Sequence, residues 1–219
     1  MRVPRAILVT LIAAVLLAGC GGGGPGTAGT GATTAPTARA STATSPSADL
    51  PPMMGDFSRV CTTQVGYGAA TAYAATPGLH PVELFFDHGD PPTLTESSAT
   101  LPAGWTVTQD GDYADNGELA GVELVGCARR TTATPNGTKC DFKGANDGDP
   151  PLTLELVDTL YTLTVYASAT GKQVGEPQTL EASDTECPMF ASFRDGDTQL
   201  LNYPTDDQFI NALKKIVNP

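Results

Sequence analysis

Leu160-Tyr161-Thr162-Leu163-Thr164-Val165-Tyr166-Ala167 alternates strictly between two faces, with Tyr161, Leu163 and Val165 on one and Thr162, Thr164 and Tyr166 on the other. A period of two, in β-branched and aromatic residues, is the pattern of a half-buried strand. Thr170-Gly171-Lys172 follows as a turn, and Gln173 to Leu180 should return antiparallel, with Pro177 marking an edge or an end of pairing. Working outward, Pro81 to Asp87, Trp105 to Gln109 and Leu119 to Arg129 are short apolar or alternating runs bounded by Gly, Pro and Asp, and read as further strands. Shorter strands are expected at Met189 to Phe193 and Gln199 to Tyr203, and a brief helical piece at Ala69 to Ala75. The period then changes. Pro204-Thr205-Asp206-Asp207-Gln208 offers a threonine cap with glutamine three residues on, followed by Phe209, Ile210, Leu213, Ile216 and Val217 on one helical stripe. The fold class expected is mainly β (α+β): an antiparallel sheet or sandwich with a C-terminal helix packed on it and two disulfides.

The chain has 219 residues, 16% charged and 40% hydrophobic, with net charge −12. That acidity excludes a polybasic nucleic-acid reader. Gly and Pro together make about 19% of the residues, short of the roughly 25–30% at which a whole chain looks disordered. From Gly21 to Leu50, however, Gly, Thr, Ala, Ser and Pro dominate, with no aromatic residue and only Arg39 and Asp49 charged. Such a segment buries too little apolar surface to offset its ordering entropy. As a flexible tether it reaches about 30 Å r.m.s..

Arg2 and Arg5 precede thirteen residues, Ala6 to Ala18, whose one polar side chain is Thr10. At 1.5 Å rise these give about 20 Å of helix, too short for a hydrocarbon layer of about 30 Å, so the stretch reads as a secretory signal. It ends in Leu17-Ala18-Gly19-Cys20, which resembles the lipobox of bacterial lipoproteins. The resemblance implies removal of residues 1–19, diacylglycerol and further acyl chains such as palmitate on Cys20, and attachment to the extracytoplasmic face of the cell membrane. Two or three acyl chains anchor a protein essentially permanently. The organisation expected is therefore a signal peptide at 1–19, a lipidated tether at 20–50 and an extracytoplasmic β-rich domain at 51–219.

Cys61, Cys127, Cys140 and Cys187 remain, an even set in an exported domain, so two disulfides are expected. Of three possible connectivities, Cys127 with Cys140 and Cys61 with Cys187 is favoured, because strand 119–129 and the segment Thr138 to Phe142 look like neighbours across a wide loop. Zinc is the weaker reading, with no CxxC and no pairing histidine nearby.

No GxSxG elbow, HExxH helix or strand-borne phosphate loop is present. His80, before a strand, reads as a turn or packing residue, and His88 as loop surface; a spatially assembled triad using His88 is the least favoured alternative. Arg129-Arg130 reads as an isolated, solvated basic pair. Asp110, Asp112, Asp115 and Glu118 are weak candidates for a nonstandard calcium site; against the EF-hand pattern, Ala114 stands where an oxygen ligand is required and Asp115 where glycine is. Asp147 and Asp149 form a second acidic pair, and the tyrosines with Trp105 could line a groove.

Glu123-Leu124-Val125-Gly126-Cys127, Cys140-Asp141-Phe142, Tyr161 to Tyr166, Ala169-Thr170-Gly171-Lys172 and Cys187-Pro188 resemble uncharacterised exported actinobacterial-type proteins over about 70 residues. That resemblance implies a disulfide-supported extracytoplasmic β-rich domain and transfers no catalytic residue. The function expected is a membrane-anchored, non-enzymatic binding or structural module without cofactor, for a protein or cell-envelope ligand. The alternatives are a solute- or calcium-binding lipoprotein and an extracellular hydrolase.

Overall fold

The computed structural model describes residues 47–109, 113–143, 151–191 and 196–219. A 3-10 turn, Met54–Phe57, leads into α1, Ser58–Thr63, which stops where Gln64 takes a left-handed conformation. Then come β1 (Val82–His88), β2 (Thr93–Glu96), α2 (Asn116–Gly121), β3 (Leu124–Phe142), β4 (Leu152–Ala167), β5 (Gln173–Ala182), β6 (Gln199–Leu201) and α3 (Asp206–Val217). Strand order is β2-β1-β3-β4-β5, with β6 also pairing β4.

The expected alternation over 160–167 forms the second half of β4, whose odd positions from Val157 to Val165 are buried. Before Val157 the parity reverses, and Leu154 and Leu156 are the buried positions. β4 therefore serves two cores. β5 returns antiparallel as anticipated, and Pro177 lies in the irregularity between the Leu163–Gln178 and Val165–Val174 pairs, on an edge strand where no ladder donor is missed.

The sheet is mixed, which corrects the antiparallel expectation: β1 runs parallel to β3, and β6 parallel to β4. Parallel neighbours require a long return connection. Residues 97–123 supply it between β2 and β3, and alternation within a strand carries no information about the direction of its neighbour. Nor do the described residues form a second sheet that would make a sandwich. On one face Val82, Leu84, Tyr161, Leu163 and Val165 pack against Phe209, Leu213 and Val217 of α3, and against Trp105. On the other, Phe85, Val125 and Cys127 pack beneath Met54, Phe57, Val60 and Leu119. A third, smaller cluster joins Cys140, Phe142, Leu154 and Leu156 at the far end of β3 and β4.

Local readings shift accordingly. Trp105 is buried in a loop, not a strand, and its carbonyl accepts the Val82 N–H at 2.7 Å. The run 119–129 divides at Val122 into the end of α2 and the start of β3. Residues 69–75 form no helix, and Met189 to Ala191 form no strand. α3 follows the sequence pattern closely, with Thr205 N–H donating to Gln208 Oε1 at 2.9 Å in a capping box.

The disulfides are Cys61–Cys127 and Cys140–Cys187, with Cα–Cα distances of 5.6 and 5.5 Å. The expected Cys127–Cys140 bridge is geometrically impossible, because both residues stand on β3. Their partners on β4, Thr164 and Leu154, are ten strand residues apart, about 33 Å, several times the reach of a disulfide. Asn136-Gly137 is not part of a loop between two strands; it sits in a bulge of one strand, between the Pro135–Val157 and Lys139–Glu155 pairs.

Among the described residues, Ser47 is already paired: its N–H donates to the Gly66 carbonyl at 2.9 Å, and Gly68 N–H donates to the Ser47 carbonyl at 2.6 Å. The Gly66 segment lies on the β4–β5 turn, where Tyr67 N–H reaches the Ser168 carbonyl at 2.8 Å. At Gly171, with φ +68°, any Cβ would strike the Gln64 carbonyl, so glycine is required by both conformation and space. Among the described residues no helix is long and apolar enough to cross a membrane.

Candidate functional site

Cys20, Asp110, Asp112, Asp147 and Asp149 lie outside the described residues. Asp115 and Glu118 are engaged locally. Asp115 caps α2 by accepting the Glu118 N–H at 2.8 Å, while the Glu118 carboxylate accepts the Asp115 N–H at 2.7 Å. That reciprocal box accounts for both carboxylates at a helix start. Among the described residues no three His, Cys, Asp or Glu side chains converge as metal ligands.

The two histidines have different fates. His80 is buried, its Nδ1 2.7 Å from Glu123 Oε2 and its Nε2 2.9 Å from the Thr76 carbonyl oxygen, with Tyr73 edge-on at 4.9 Å. Two accepting oxygens favour a proton on each nitrogen, and the Glu123 hydrogen bond, then the Thr76 carbonyl, raise the His80 pKa above its ordinary value. An imidazole held between two oxygens in this way serves packing and orientation. His88, at the end of β1, stacks on Tyr203 with ring centroids 5.0 Å apart and planes 4° from parallel. Phe86 meets Tyr203 edge-on at 5.6 Å, and Gly89 N–H donates to the Tyr203 hydroxyl at 3.3 Å.

His88 and Tyr203 line a cleft of about 810 Å³. That volume falls in the range of small-ligand sites, about 300–1,000 Å³. Leu156 and Leu200 contribute apolar surface, and Asp90, Asp184, Glu186 and Asp197 contribute carboxylates. One wall is the segment around Cys187, which the Cys140 disulfide holds to the far end of β3. The segment is also tied by an amide lattice. Asn136 and Asn202 side chains both donate to Asp158 Oδ1, at 2.9 and 3.1 Å, and both donate to the Asp184 carbonyl, again at 2.9 and 3.1 Å. The bulge at Asn136 thus has a role that no local turn signal revealed: it aims an amide at a carboxylate from β4. Beyond this wall Met189 and Phe190 are each 88% exposed. Two adjacent large apolar side chains in solvent are unusual beside a cleft.

Behind the cleft lies a charged network that reading the sequence alone missed. Arg129 Nη1 donates to Asp87 Oδ1 at 2.9 Å, Arg130 N–H donates to Asp87 Oδ2 at 3.1 Å, and Arg130 Nη2 donates to Asp90 Oδ1 at 3.2 Å. Far from being solvated, the Arg130 side chain is only 8% exposed. Tyr161 adds a hydroxyl donated to the Asp87 carbonyl at 3.2 Å, and burial pushes its pKa up to about 12. Four residues before Asp87 on β1, burial, and then the neighbouring Glu96 carboxylate, push Glu83 up to about 8. Nothing in the strand pattern marked Glu83, because an acid at a buried strand position reads as a break in alternation.

No family model matches the chain, and neither a curated protein nor a solved structure matches it. The cleft is therefore interpreted from its own chemistry.

Proposed function

We propose that this protein is a membrane-anchored extracytoplasmic lipoprotein, a non-enzymatic binding module that presents the His88–Tyr203 cleft to a protein or cell-envelope partner. The observation that carries the reading is the placement of the cleft relative to the entry of the chain. Ser47 is clipped to the Gly66 segment, at the end of the sheet formed by the β4–β5 turn. The cleft includes Leu156, eleven residues back along β4 from Ala167, or about 36 Å of strand. A domain held by its Ser47 end displays the cleft outward, and the tether adds reach.

Two disulfides suit an oxidising extracytoplasmic compartment. The binding role is supported by the exposed Met189–Phe190 pair beside a polar, disulfide-braced cleft. His80 being held between Glu123 and Thr76 leaves His88 as the one imidazole at the cleft, stacked on Tyr203 and placed as an aromatic wall.

The test is detergent phase partitioning of the full chain expressed in a lipoprotein-processing bacterium, with mass spectrometry of its amino end. An acylated Cys20 in the detergent phase, and a Cys20→Ser chain in the aqueous phase, are expected. An unacylated wild-type amino end would refute the anchored reading.

A further inference from the structure

The geometry points to a basic polypeptide segment as the occupant of the cleft, with a Lys or Arg side chain among its carboxylates and an apolar neighbour on Phe190 and Met189. The inference rests on the binding-module reading and specifies the partner of the same site. Charge complementarity is the first argument. Asp184 and Glu186 bring to the lining two carboxylates that pair with no Lys or Arg among the described residues, while Asp90 beside them is already paired with Arg130 at 3.2 Å. Carboxylates beside apolar groups of low dielectric focus their field on an incoming cation. The parallel His88 and Tyr203 rings add aromatic surface, against which an alkyl-ammonium or guanidinium stem can lie.

The choice of a polypeptide over a small amine comes from the rim. Phe190 lines the cleft and Met189 stands next to it, both almost wholly in solvent. A free amine filling the cleft would leave them there, whereas a chain passing through it would cover them. Adjacent aromatic and thioether side chains make an adaptable contact surface for an apolar residue. The rim is also prepared for a partner: Cys187, two residues before Met189, is bridged to Cys140, and Asp184 is fixed by two asparagine amides, so little ordering remains to be done on binding.

The experiment titrates the detergent-solubilised full chain with three peptides of equal length, alternating Lys–Leu, Ser–Leu and Glu–Leu, and with spermidine as a free amine. Calorimetry is used at low and at physiological salt. Saturable one-to-one binding of the Lys–Leu peptide alone is expected. It should weaken at least tenfold in Glu186→Gln and again in Met189→Ser/Phe190→Ser, with unchanged melting temperatures, since the Glu186 and Phe190 side chains are exposed. Equal binding of Lys–Leu to wild type and both variants would mean attraction to the acidic body as a whole, and would overturn the assignment. Spermidine binding as tightly, indifferent to the Met189/Phe190 change, would overturn the polypeptide half of it. If Ser–Leu or Glu–Leu bound as well as Lys–Leu and lost affinity on the Met189/Phe190 change, the charge argument would fail while the binding module stood. If no peptide bound, both would fall.

Discussion

Cys61 in α1 is bonded to Cys127 in the central strand β3, and the bond ties the helical layer over one face of the sheet to the strand beneath it. The bridge spans 66 residues and its companion, Cys140–Cys187, spans 47. In the chain-entropy model each is worth about 4 kcal/mol. Their local roles differ, since one clamps a core and the other clamps a cleft wall. Non-reducing peptide mapping should recover 61–127 and 140–187 cross-linked pairs, and a 127–140 pair would contradict the fold. Cys61→Ser/Cys127→Ser should lower the melting temperature by roughly 8–16 °C. Cys140→Ser/Cys187→Ser should in addition accelerate amide exchange around Asp184 to Pro188.

Stability should fall as pH rises from acid to mildly alkaline. Glu83 is raised in the folded state from 4.5 to about 8, so its contribution is full below the unfolded value and is lost as pH climbs through 8. His80 is raised above 6.5, so its contribution is full below that value and is lost as pH climbs through the folded one. Both slopes have the same sign. Calorimetric melting between pH 4 and 9 should show the decline, and Glu83→Gln should flatten it and melt higher than wild type at pH 8. A melting temperature that rises from pH 5 to 8 would contradict the buried-acid assignment.

Removing Asp87 and removing Arg130 should have unequal effects. Asp87 accepts from the Arg129 guanidinium and from the Arg130 N–H, so Asp87→Ala strands both and should cost about 3 kcal/mol in urea unfolding. Arg130 is a largely buried cation whose Nη1 has no hydrogen-bond partner among the described residues. Arg130→Met should be close to neutral or stabilising, because it removes a desolvated charge and keeps the bulk. Equal losses for the two variants would show that the Arg130 cation supports the network as much as the Asp87 carboxylate does.

At the C-terminus, Leu213 is fully buried against the sheet, and Leu213→Ala should cost about 2–5 kcal/mol. Thr205→Ala removes only the cap and should cost about 1 kcal/mol. Deletion of α3 should expose the face carrying Tyr161 and Leu163 and give binding of a hydrophobic dye; a soluble, dye-silent deletion would mean the helix is dispensable to the core.

Elements carrying their own periodicity were legible without tertiary information. The Leu160–Ala167 alternation, a tight turn following it and the Thr205/Gln208-capped helix are all present, because each depends on neighbours within a few residues. Partnership across the sheet was not. Whether β1 runs with or against β3, and which sulfurs meet, depends on where residues 97–123 and 168–198 travel, and no local pattern encodes the path of a connection. One continuous strand reads as two because Asn136-Gly137 has turn chemistry. Pairing with β4 on both sides of the bulge, reinforced by amide bonds to Asp158, overrides that preference. The cleft belongs wholly to the second category. His88, Asp184 and Tyr203 are separated by long stretches of chain and share no spacing rule, and long-range packing alone makes them neighbours.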